Sequence, residues 1–356
     1  MRQTSTRQTT RIALITLLLV GSSSPADTAS SSTSMQKGLN VAKLKTIPSP
    51  GKETAGIALS SDGKMLACGN YGDDSVYLLD VAGGSVTATL KGHTAPVTSL
   101  AFSPNGALLA STGTVNLPPK KDGSVRIWDV KTGQQLAVFK TNGIRHLTFS
   151  PDGALLAGAG GGDPVQVFLW DTRSASEKKT LKGVFSHASF SPDANLIASG
   201  SRDDFVHVIN VSTGAEAMKL TGHAGWVKAA AFSPKGGTLA SGGEDTIVNI
   251  WDLTTGNKLQ SLTGHKSGIG FLAFSNDGSV LASLGSGTNV TRQGGRVSFT
   301  MGAQDKSLRF WDVKTGKEMA LVEMPGGIGE VSFTSDWTLM ATSSAKEVIQ
   351  LWSIKR

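Results

Sequence analysis

A chain of 356 residues exceeds what one ordinary core needs, and its 43 glycines and sparse charge (17%) exclude a helical bundle; many short strands joined by tight turns fit instead. The formal charge of +7 includes Arg2, Arg7 and Arg11 near the start, and no run of five Lys/Arg occurs, so nucleic acid is not an expected partner. The single cysteine, Cys68, excludes an internal disulfide and reads as an inert core atom on an apolar strand.

In chain order, residues 1–26 come first: basic residues, then the apolar run 12–20, then small residues. Nine residues of helix rise about 14 Å, less than half a bilayer's hydrocarbon core. The pattern predicts a cleavable signal peptide, cut after Ala26, and no stable membrane anchor after cleavage. The expected location is therefore exported, periplasmic or secreted. Residues 27–40 are rich in Ser and Thr and predict a flexible linker.

From there the sequence repeats. One turn motif occurs as LSSDG (59–63), FSPNG (102–106), FSPDG (149–153), FSPDA (190–194), FSPKG (232–236), FSNDG (274–278) and FTSDW (333–337). A second marker keeps the same phase: Leu79-Asp80, Trp128-Asp129, Trp170-Asp171, Ile209-Asn210, Trp251-Asp252, Trp311-Asp312 and Trp352-Ser353. Within the fifth unit the pattern predicts strands at 226–232, 238–243, 247–253 and 258–262. They are apolar on both faces, so both faces should be buried. Seven such four-stranded sheets stack best around one axis, as a β-propeller.

These motifs resemble those of the WD40-repeat family across residues 41–356. Gly-His openings stand at Gly92-His93, Gly222-His223 and Gly264-His265, and Trp-Asp endings in the second, third, fifth and sixth units. The resemblance implies an all-β, seven-bladed WD40-type propeller. It also implies hydrogen-bonded structural tetrads: His93, Ser111, Asp122 and Trp128; His223, Ser241, Asp245 and Trp251; His265, Ser283, Asp305 and Trp311. They recur at one blade position, so they are expected to serve the fold and not catalysis. Three blades depart from the pattern. The first has Cys68, Asp73 and Leu79, the fourth lacks the His and has Ile209, and the seventh has Lys346 at the Asp position; these are expected to rest on apolar packing alone.

The last unit ends with a third strand in VIQLWSIKR (348–356), whereas VAKLKTI (41–47) matches fourth strands such as QQLAVF (134–139). The ring is therefore expected to close by pairing 41–47 into the last blade, which removes an exposed edge. Removing 41–47 should lower the melting temperature sharply.

Two units carry inserts between the second-strand Ser and the Trp, TGTVNLPPK (112–120) and a longer one within 284–304 that could fold as a hairpin turning at Gly294-Gly295. Such loops on one face of a rigid scaffold suit recognition. By the resemblance, Trp226 points from that top face, with Lys228, Arg145, Lys121, Arg202, Glu244 and Gln304 around it. The expected function is non-catalytic capture of a protein or peptide. The alternatives are an exported enzyme working in the central channel and an intracellular WD40 adaptor. His146 and His187 read as packed structural residues, GAGGGD (158–163) as a turn, and neither metal spacing nor a cofactor motif occurs, so no cofactor is expected.

Overall fold

A computed structural model describes residues 33–35, 38–51, 53–115, 122–160, 166–182, 187–285, 288–293, 296–301, 305, 307–324, 327–344 and 348–356. The expected signal peptide, Lys121, Gln304 and Lys346 lie outside the described residues.

Every regular element among the described residues is a strand, and the strands group as the repeat phase demands. Seven antiparallel sheets follow one another around the propeller. Strands are lettered a to d from the channel outward. In blade 5 they are Val227–Phe232, Thr238–Gly243, Val248–Asp252 and Lys258–Leu262. The turn motif explains the a-to-b reversal. In blade 3 the Asp152 carboxylate accepts from the Ser150 hydroxyl at 2.5 Å and from the Ala154 N–H at 3.0 Å. Gly153 then turns the chain with φ +71°. Ala194 and Trp337 occupy that same position with φ 58° and 59°, a left-handed conformation that costs a side-chain-bearing residue about 1–2 kcal/mol.

The core lies between blades. Seven apolar clusters occupy the seven junctions. Trp128 packs on Leu78 and Leu90 of blade 1, and Trp251 on Val208 and Leu220 of blade 4. Each Trp thus seals its blade against the preceding one. In the two blades without Trp, Leu79 and Ile209 fill the same place.

The seventh junction closes the ring. Ile47, Ile349 and Leu351 of blade 7 meet Ile57, Leu66 and Leu79 of blade 1. Strand Asn40–Pro48 pairs antiparallel with Val348–Lys355, in the register Val41↔Ile354 and Ile47↔Ile349. Val41 and Ile47 are buried there, each contributing about 1.5–3 kcal/mol.

Two elements stand outside the four-strand plan. Within the segment expected to be a flexible linker, Thr33–Met35 pairs with the outer strand of blade 6, Glu318–Val322, as a fifth strand. An outer strand presents a row of unpaired backbone groups, and an extended Ser/Thr segment satisfies them without needing a core. The other element is a two-stranded ribbon from the blade 6 insert, Thr288–Gln293 with Arg296–Met301.

Candidate functional site

The His, Ser, Asp and Trp of blades 2, 5 and 6 come together as hydrogen-bonded relays. In blade 5 the Trp251 indole N–H donates to Ser241 Oγ at 2.6 Å. Ser241 Oγ lies 2.7 Å from His223 Nε2, and His223 Nδ1 lies 2.7 Å from Asp245 Oδ2. The indole can only donate. The chain of bonds therefore closes with the Ser hydroxyl donating to Nε2 and the Nδ1–H donating to the carboxylate. Blade 2 repeats it at 2.8, 2.7 and 2.6 Å, and blade 6 at 2.8, 2.7 and 2.9 Å.

Burial on its own raises the Asp122, Asp245 and Asp305 carboxyls, but hydrogen bonds, led by those from His93, His223 and His265, hold all three below the usual carboxylate range. The order Asp-His-Ser matches that of a hydrolase triad. Here each Ser is fully buried and already accepts from Trp. Such a hydroxyl has no room for a substrate, so the relays tie a loop to its blade.

The other blades solve the same problem differently. In blade 3, Gly158 stands at the Ser position, and a Cβ there would meet Trp170 at 2.6 Å. The indole packs its ring edge on the glycine and stacks between Phe139 and Phe168, with centroids 5.1 and 5.8 Å away. Blade 7 was expected to rest on apolar packing alone and does not. Trp352 N–H donates to Thr342 Oγ1 at 2.9 Å, and that hydroxyl reaches Met324 Sδ at 3.2 Å. The turn acids of blades 1 and 4 bond to their own third strands, Asp73 to the Tyr77 hydroxyl and Asp203 to His207 at 3.0 Å. Cys68 is fully buried, and burial pushes its thiol up to about 12, which makes it unreactive at neutral pH.

Inner strands line a central channel of about 600 Å³. Its wall is stitched from blade to blade: Leu147 N–H donates to Ser99 Oγ, and Leu59 N–H to Ser332 Oγ. His146 and His187 meet in the wall with ring centroids 4.6 Å apart and planes tilted by 45°. Burial holds His187 down to about 4 and His146 well below the ordinary 6.5, so both stay neutral. Across the channel stands Glu330. It is open to channel water but crowded by protein on its sides, which pushes its carboxyl up to about 7.

Five of the seven top-face residues singled out in the sequence are described, and they gather over blades 3 to 5. The Arg202 guanidinium sits 4.8 Å from the ring of half-buried Trp226. Lys228 Nζ is 3.8 Å from the Glu244 carboxylate, whose side chain is 4% exposed. Arg145 lines the channel, where burial and then the Arg202 charge lower its pKa.

A repeat profile, that of the WD domain, G-beta repeat, matches residues 84–129, 133–164, 176–210, 214–252 and 256–312, more than half of the chain. The chain belongs to the WD40 family. Four of the five matched stretches end at the residue after the Trp position of a blade, so the profile has the phase of the structure. Among WD40 relatives, the WD repeat-containing protein SL1-17 of Schistosoma mansoni is 37% identical over 92 residues, 26% of this chain and 28% of the relative. The small ribosomal subunit protein RACK1z of Arabidopsis thaliana is 33% identical over 95 residues, 27% of this chain and 26% of the relative. The WD repeat and HMG-box DNA-binding protein 1 of Xenopus laevis is 39% identical over 74 residues, 21% of this chain and 6% of the relative. The chain thus spans under a third of the length of each of these WD40 proteins.

Proposed function

We propose that this WD40 propeller is a non-catalytic, exported scaffold that captures a protein or peptide on its top face. The observation that carries the reading is the cluster around Trp226. A half-buried indole with a guanidinium against it has the character of an interface hot spot. WD40 propellers are in general interaction scaffolds, and the relatives include a protein named as part of the small ribosomal subunit. The ribbon at Thr288–Gln293 and Arg296–Met301 supplies a second element on that face. Export rests on the basic–apolar–small order of residues 1–26.

Immobilised wild type, Trp226→Ala and a variant lacking 286–303 test the capture. Both variants should lose the partner that wild type retains, with melting temperatures unchanged. Equal retention by all three would reject the top face, and a fall in melting temperature with Trp226→Ala would make that residue core. For export, sequencing of the mature N-terminus after cell fractionation should begin at Asp27; an intact leader in the cytosolic fraction would favour the intracellular adaptor.

A further inference from the structure

The channel mouth carries like charges on two opposite arcs. On the blade 3–4 side, Arg145 lines the cavity and Arg202 stands against Trp226. Among the described residues neither arginine makes an ion pair. The neighbouring carboxylates are engaged elsewhere, Glu244 facing Lys228 at 3.8 Å and Asp203 facing His207 at 3.0 Å and Lys219 at 3.9 Å. The two guanidiniums feel each other's charge.

On the blade 7–1 side, Glu330 lines the same cavity. The main chain of Tyr71 is bonded to that of Glu53 at 2.9 Å. Burial first, then the charges of Glu330 and Glu53, raise the Tyr71 phenol, so these acids and an exposed aromatic ring share one arc. No described Lys or Arg pairs with either glutamate.

Each arc lacks the opposite charge. A planar guanidinium offers forked donors that fit a carboxylate, while Glu53 and Glu330 beside an aromatic face fit a cation, whose charge favours the ionised form of Glu330. The cavity falls in the size range that encloses a ligand segment. We propose that the channel mouth is a dipolar clamp for an extended peptide segment of the partner, with an acidic side chain over Arg145 and Arg202 and a basic side chain over Glu330, Glu53 and Tyr71. This rests on the scaffold reading above and names the chemistry of its partner.

Four labelled synthetic peptides of equal length in a Gly/Ser background test it: one with an acidic and a basic residue spaced apart, one acidic only, one basic only, one neutral. Fluorescence anisotropy is measured at low and high salt for wild type, the double variant Arg145→Gln/Arg202→Gln, and Glu330→Gln. The two-charge peptide should bind wild type at least about tenfold tighter than the neutral one, with the advantage shrinking in high salt. The double Arg variant should lose only the gain from the acidic residue, and Glu330→Gln only the gain from the basic one. Melting temperatures of both variants should change little, because neither change breaks an ion pair among the described residues. Equal affinity for all four peptides, or gains unchanged in the variants, overturns the clamp. If the clamp variants still capture a partner that Trp226→Ala loses, the dipolar chemistry fails while the scaffold stands. If wild type captures nothing, the scaffold reading itself fails.

Discussion

Blade 5 and blade 3 build the same four-stranded sheet around the same buried tryptophan, yet hold it by different means. Trp251 is the end of a polar relay that reaches through Ser241 and His223 to a loop carboxylate. Trp170 packs its ring edge on a glycine and stacks between two phenylalanines. Both indoles are almost fully buried against the preceding blade. The shared requirement is therefore an apolar seal between blades. The relay is an added tie between a top-face loop and the sheet, and only some blades carry it.

Removing the seal should hurt both blades alike. Trp251→Ala and Trp170→Ala should each cost about 3–5 kcal/mol in chemical denaturation; a large difference between them would mean the relay, not the seal, dominates. Next in size is Ser241→Ala, which strands the Trp251 N–H and leaves His223 Nε2 with Asn249 Nδ2 at 3.2 Å, at about 1–3 kcal/mol for the unpaired indole donor. A cost below about 0.5 kcal/mol would show that the relay contributes no stability. Gly158→Ser looks like a repair of blade 3, but the new Cβ would strike the indole. It should destabilise by about 1–3 kcal/mol through overpacking, and a gain in stability would break the distinction between the blades.

The smallest effect is acid sensitivity. The Asp245 carboxyl lies below its ordinary 3.8 in the folded state. Its contribution is thus fully present above pH 3.8 and fades as pH falls through the lower folded value. Amide protection of Val248–Asp252 should weaken in that window before that of Gln166–Asp171. Simultaneous loss would show that the relay's charge is not what acid removes.

Much of this was legible in the residues because turns and relays demand particular side chains. The a-to-b turn needs Ser, Asp and a left-handed residue, so its motif recurs and its phase counts the blades. The strand at 41–47 was legible from its likeness to other fourth strands, and the three relays from fixed positions. What escaped had no such demand. Thr342 and Met324 serve Trp352 through a weak sulfur contact that leaves no motif. Glu330 is one acid at a channel position where blades 2, 3 and 4 place Ser99, His146 and His187; only aligning the inner strands could have singled it out. Thr33–Met35 joins blade 6 through backbone bonds, which any extended sequence can make.

The clasp of Asn40–Pro48 on Val348–Lys355 unites stretches some 311 positions apart, as Ser353 and Ala42 are. Six blades can assemble as the polypeptide emerges, but the seventh must wait for its final strand. The circle is therefore the last contact to form, and a tug on the chain upstream of Thr33 loads the three-residue pairing with blade 6 before it reaches the seam.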